Sequence, residues 1–218
     1  MEPVPDKSIQ TFHHQAGQGR NTEALRGAMD DTSRRHYMQL SLTLARKSPP
    51  KPTNFCVGAG LVSPASIPTS AEKAAWEENS LLVTGYTLES PGNTHAEQSC
   101  FIKLADKYSC SEDELGEHLP TDTVLFTTME PCVRRSVGNT ACVDRILRLK
   151  GKGGAQAVRT VYVGVGEPET FVGVNEGRKK LEDAGIAVEL VPGFEDEILR
   201  VATAGHSRDV REDVAGSH

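Results

Sequence analysis

No stretch of this sequence approaches the ~20 consecutive apolar residues a bilayer-spanning helix needs. Aromatic residues make up only 5% of it, with a single tryptophan. The first thirty residues lack the apolar segment of a secretory signal, so a cytoplasmic location is expected. Cations are in deficit, with 24 Lys and Arg against 30 Asp and Glu and a formal net charge of −6. That balance speaks against a broad nucleic-acid surface and leaves room only for a local basic patch. Cysteine is sparse and odd in number, five in 218 residues. A disulfide framework is therefore not expected, and a chain of this length can bury a core without staples. No internal repeat and no second domain are evident.

Present instead is an alternation of short apolar segments with turn residues. Residues 1 to about 30 are polar and read as an N-terminal arm. A helix begins near Asp31, capped by Asp31 or Thr32, and must end by Ser48 because prolines follow at 49, 50 and 52. Strands are expected at 54–63, where Gly58 and Gly60 allow close packing, and at 81–87. Between them, 64–78 reads as an inserted loop or short helix around Trp76. Further helices are expected from about His95 to Tyr108, at 111–118 with Ser111 and Glu114 as a capping box, at 141–149, at 174–184 with Gly185 as its stop, and at 194–202. Strands at 123–128, 158–165 and 186–191 alternate with them. This order predicts an α/β fold of three α-β-α layers around a mixed five-stranded sheet. The catalytic domain would occupy 31–204, with a polar tail from 205 to 218.

Two stretches carry chemistry. One is Asn93-Thr94-His95-Ala96-Glu97. The other is Thr128-Met129-Glu130-Pro131-Cys132, with Cys142 beyond it. Zinc favours nitrogen and sulfur ligands in a tetrahedron, and a catalytic site leaves one corner open. His95, Cys132 and Cys142 would be three such ligands. Glu97 is too close to His95 in sequence to be needed as a ligand, and stands where a general acid–base would. Two plainer readings compete. Thr94 and Glu97 have capping-box spacing, and a structural zinc could recruit Cys110 as a fourth ligand. Cys56, Cys100 and Cys110 otherwise read as small apolar side chains.

H-x-E followed by P-C and a later Cys resembles the cytidine-deaminase-like superfamily of zinc-dependent nucleobase deaminases. The usual form separates its cysteines by two residues; here Val133 to Ala141 intervene. That long polar loop is similar to the deaminases of riboflavin biosynthesis. The segment from Thr128 through Cys132, Arg135, Gly138, Asn139, Cys142-Val143 and Arg145-Ile146 is similar to the fungal enzyme of that pathway. So are Gly92 to Gln98, and Val163-Gly164-Val165 with Glu167-Pro168 and Phe171-Val172. The resemblance spans about residues 50–204. It implies deamination of 2,5-diamino-6-ribitylamino-4(3H)-pyrimidinone 5′-phosphate to the corresponding uracil, with Zn2+ as cofactor and Glu97 as proton shuttle. It also implies a stand-alone deaminase without reductase or pseudouridine-synthase domain, and a homo-oligomer, a dimer.

Substrate contacts are expected at Asn54, which offers donor and acceptor, at Arg134 and Arg135 for the phosphate, at Asn139, and at the backbone N–H of Ala96. The partner is thus a small phosphorylated pyrimidine, with neither nucleic acid nor membrane. Another nucleotide or tRNA base deaminase is the alternative, and a non-catalytic zinc scaffold a more distant one.

Overall fold

The computed structural model describes residues 29–64, 80–166 and 176–206. Five strands form one sheet: β1 (Gly58–Val62), β2 (Leu81–Tyr86), β3 (Val124–Met129), β4 (Thr160–Val165) and β5 (Ala187–Leu190), in the order β2-β1-β3-β4-β5. β1 runs antiparallel to β2 and β3, while β3, β4 and β5 are parallel. The expected mixed five-stranded sheet is therefore present. The helices are α1 (Asp31–Ala45), α2 (Ala96–Tyr108), α3 (Cys142–Arg148), α4 (Gly177–Asp183) and α5 (Glu195–Ala202).

The pleat divides the core. Along β3, Leu125 faces one apolar cluster with Phe101 and Leu104 of α2, Val143 and Ile146 of α3, and Leu181 of α4. Its neighbours Val124 and Phe126 face the other, with Tyr37, Met38 and Leu42 of α1 and Ile198 and Leu199 of α5. All six residues of β3 are buried, as a central strand covered on both faces requires. These are the three layers read from the sequence.

Gly58 is where α1 lies closest to the sheet. A Cβ there would stand 2.0 Å from Ser41 O and 2.5 Å from Ala45 N, both backbone. At Gly60 a Cβ would meet nothing nearer than 3.4 Å, so of the two glycines only Gly58 is required by packing. Gly58→Ala is expected to cost roughly 2–3 kcal/mol and to lower Tm by about 4–12 °C for a domain of this size. Gly60→Ala is the control; equal melting temperatures for the two variants would contradict this account.

Several boundaries differ from the sequence reading. α1 is capped by Asp30, which has extended backbone and accepts from Ser33 N at 2.7 Å, so Asp31 is already inside the helix. The strand expected from 54 begins only at Gly58, because the preceding residues find other partners. Asn54 bridges Lys51, Cys56 N donates to Ala202 O at 2.9 Å, and Val57 N donates to Thr87 Oγ1 at 3.1 Å. The segment 111–118 makes its Ser111–Glu114 capping bonds but only one 3₁₀ turn, Leu115–Glu117. Gly116 there presses on the Lys150 backbone. At the ends, Met29 and His206 are buried rather than parts of a polar arm and tail. The remainder of both, and the insertion containing Trp76, lie outside the described residues.

Candidate active site

β2 and β3 run in the same direction and β1 opposes them, so the loops after β2 and β3 and the segment before β1 emerge at one edge of the sheet. The chemistry-bearing stretches sit on these three connections, in the crevice at strand ends where α/β sheets place ligands. His95 is the residue before α2, with extended backbone at the N-cap position. Cys132 follows β3. Cys142 is the first residue of α3 and fully buried.

The geometry brings the three together. Cys132 Sγ lies 3.5 Å and Cys142 Sγ 3.4 Å from His95 Nδ1, and all three ligand atoms lie within 4.8 Å of one another. With Zn–S near 2.3 Å and Zn–N near 2.0–2.1 Å, a tetrahedral edge is about 3.6 Å. One nitrogen and two sulfurs at these separations fit zinc. Among the described residues this is the only His/Cys/Asp/Glu group so arranged. Cys110 is outside it, so the four-ligand structural site is not formed. Cys56 and Cys100 are buried in the fold, with burial pushing both thiols up.

The two cysteine thiols shift in opposite directions. The hydrogen bond from Cys142, with His95 nearby, holds Cys132 down at about 4, whereas Cys142 is pushed well up by sharing that bond, by burial and by Glu97. Metal binding to these two cysteines would release their thiol protons.

Glu97 reaches the same place from the first turn of α2. It is 3% exposed. Its Oε2 accepts from Cys142 Sγ at 3.3 Å, and its Oε1 lies 3.3 Å from the Thr127 hydroxyl. Burial raises its carboxyl above the usual range, opposed by the neighbouring His95 and reinforced by Cys132. A carboxyl raised by burial in a crevice is a candidate acid–base group. The capping-box alternative is not realised: Thr94 Oγ1 donates to Ser90 O at 3.0 Å, and α2 has no side-chain cap at its start.

Above this floor opens a cavity of about 410 Å3, with His95, Glu97 and Cys132 in its lining. Of the expected substrate residues, Asn54, Arg134 and Arg135 line it as well; Ala96 and Asn139 do not. The Ala96 side chain is buried in the core beneath α2, leaving only its backbone N–H, one of the unpaired donors at a helix start. Asn139 is exposed and donates to Ser136 Oγ at 3.1 Å within its own loop. The two arginines differ. Arg135 Nη1 donates to Gln98 Oε1 at 2.8 Å and Nη2 donates to Asn93 O, so its guanidinium ties the cysteine loop to the start of α2. Arg134 is exposed at the cavity, with no hydrogen bond or ion pair among the described residues.

Asn54 is held on both sides of its amide. Its Nδ2 donates to Asn93 Oδ1 at 2.7 Å and its Oδ1 accepts from Thr53 Oγ1 at 2.8 Å. Asn93, Phe55 and Glu130 also line the cavity, and sequence reasoning gave none of them a role. Asn93 and Glu130 sat within the quoted motifs, which was the available signal. Phe55 carried none.

A three-layer α/β/α sheet bearing one histidine, two cysteines and a buried glutamate at its strand ends is the architecture of a zinc-dependent deaminase. The chain matches the cytidine and deoxycytidylate deaminase zinc-binding region over residues 31–153 and belongs to that family. It is 34% identical over 174 residues to the diaminohydroxyphosphoribosylamino-pyrimidine deaminase of Schizosaccharomyces pombe, covering 78% of this chain and 35% of the relative. The chain thus spans about a third of that relative's length. Among solved structures, the Aspergillus oryzae Rib2 deaminase (a C-terminal deletion mutant) at pH 4.6 has 44% identity and a TM-score of 0.72, covering 84% of this chain and 97% of that one. The same protein in complex with DARIPP matches at 41% identity, TM-score 0.71 and the same coverage. A Thermotoga maritima deaminase/reductase, at 22% identity, TM-score 0.55 and covering 79% of this chain and 40% of that one, shares the fold.

Proposed function

We propose that this chain deaminates 2,5-diamino-6-ribitylamino-4(3H)-pyrimidinone 5′-phosphate, giving 5-amino-6-ribitylaminouracil 5′-phosphate and ammonia, a step of riboflavin biosynthesis. The observation that carries this is the meeting of Cys142 with His95, Cys132 and Glu97, the last three of which line one open cavity. Likeness to the Aspergillus deaminase along nearly the whole of its chain, and that protein's complex with DARIPP, support a small ligand of this kind.

His95, Cys132 and Cys142 would hold the zinc, which would supply Lewis acidity to make a water a better nucleophile. Glu97 takes a proton from the attacking water. It passes that proton to a ring nitrogen, then takes the second proton from the hydroxyl now on the ring carbon and gives it to the amine, which leaves as ammonia while the water oxygen stays as the carbonyl. Asn54, fixed by Asn93 and Thr53, presents a preset amide to the pyrimidine or ribityl chain. The N–H of Ala96 faces the pyrimidinone oxygen. Arg134 takes the phosphate, its guanidinium being uncommitted and suited to two-pronged contact, whereas Arg135 is occupied in holding the loop. Asn139 has no place in this arrangement.

The test is ammonia release from the zinc-loaded protein given the ribitylamino compound, its ribosylamino analogue and cytidine nucleotides in parallel. Selective release from the ribitylamino compound is expected; release from cytidine nucleotides instead would overturn the substrate assignment. In the same assay Arg134→Ala is expected to raise KM by about 10- to 100-fold, the range for one hydrogen bond to a charged group. An unchanged KM would remove Arg134 from the phosphate site.

A further inference from the structure

We infer that His206, distant from the metal ligands in sequence, is a positioning residue that sets the substrate-facing wall of the cavity through Asn54. This rests on the proposed deamination, since it assigns a role within that site.

His206 follows α5 and is 6% exposed. Its Nε2 lies 3.2 Å from Asn54 O. A carbonyl can only accept, so Nε2 carries the proton and donates. The imidazole also packs against Phe55, with ring centroids 4.7 Å apart and planes at 49°. The chain around it is closely fitted to the same wall. A Cβ on Gly205 would stand 2.3 Å from Lys51 N, and Cys56 N donates to Ala202 O at 2.9 Å. Residues 202–206 thus buttress 51–56, a segment that leaves the sheet before β1 and has few regular backbone bonds of its own.

The buttress connects to the chemistry through amides. Asn54 Nδ2 donates to Asn93 Oδ1, and Arg135 holds Asn93 O from the cysteine loop. Asn93 stands two residues before His95 in the chain. His206 therefore fixes the backbone of the residue whose side chain joins the β1 entry to the metal-bearing loop. It touches none of the reacting groups itself, so its loss should act on substrate binding and leave metal binding and chemistry intact.

Two variants separate this role from bulk packing. His206→Phe keeps an aromatic ring against Phe55 and removes the donor; His206→Gln restores an N–H at similar reach. Each is assayed for KM, kcat, zinc content and Tm, and by NMR for solvent exchange of the Asn54 side-chain amide. For His206→Phe the expectation is a KM raised about five- to tenfold, the scale of one net hydrogen bond, with kcat within about twofold. Zinc should be unchanged and Asn54 amide exchange faster. His206→Gln should recover most of the KM and the slow exchange. A His206→Phe protein with wild-type KM and wild-type exchange overturns the inference, as does one in which kcat and zinc fall with KM. If the parent protein releases no ammonia from the ribitylamino compound, the proposed function fails while the exchange measurement still decides the positioning role.

Discussion

Glu97→Gln is expected to keep its zinc and its fold while losing about 10²- to 10⁴-fold in turnover, the usual contribution of a positioned general acid–base. The amide nearly matches the carboxylate in shape; its oxygen can accept at one of the two positions, from Thr127 or from Cys142, and its NH2 takes the other. It cannot take up or release a proton. Protonation of the departing amine then falls to solvent, which has limited access to a side chain only 3% exposed. A glutamate serving the helix start would behave otherwise, costing about 1 kcal/mol of stability and no turnover. The check is ammonia release at saturating substrate beside elemental zinc and a thermal melt. Wild-type turnover in a zinc-replete Glu97→Gln protein would end the shuttle assignment.

The parts of this site that were legible in the sequence are those whose residue types are chemically restricted. Few side chains can ligate zinc, so His95, Cys132 and Cys142 announced themselves by type and order, and the structure places their ligand atoms together. Strands β2 to β5 were equally legible, because their apolar runs are bounded by turn residues. Less legible was anything decided by a partner far along the chain. Arg134 and Arg135 are adjacent and alike in sequence. Only the fold shows that Gln98 and Asn93 claim the second and leave the first at the cavity. Asn139 looked like a ligand because of its motif, yet it satisfies itself on Ser136. The segment 54–57 has the composition of a strand, but Ala202, Thr87 and Lys51 take its backbone groups before a sheet neighbour can. His206 sits where the sequence turns polar, and it is buried only because Asn54 and Phe55 come to meet it.

Cys142→Ser is expected to lose zinc and stability together. Its sulfur is fully buried, 3.4 Å from His95 Nδ1 and at the first residue of α3. A serine hydroxyl is shorter, harder and far less readily ionised than a thiol, so it is a poor substitute toward zinc. Losing a direct ligand should weaken zinc by more than the 10- to 100-fold typical of an outer-shell partner. If the loss is about 1,000-fold and the parent protein is saturated, the folded state forfeits about 4 kcal/mol of linkage stabilisation. For a domain of this size that corresponds to a Tm lowered by roughly 8–16 °C. Adding a chelator to the parent protein should lower its Tm toward that of Cys142→Ser, and the variant's own Tm should no longer respond to chelator. The comparison variant is Cys100→Ser. Cys100 is equally buried but lies in the apolar cluster under α2, away from the ligand group. It should lose stability through an ill-placed hydroxyl while keeping full zinc. Elemental analysis beside thermal melts distinguishes the two. Full zinc in Cys142→Ser would mean that the ion is held without this sulfur, and the three-ligand site would have to be redrawn.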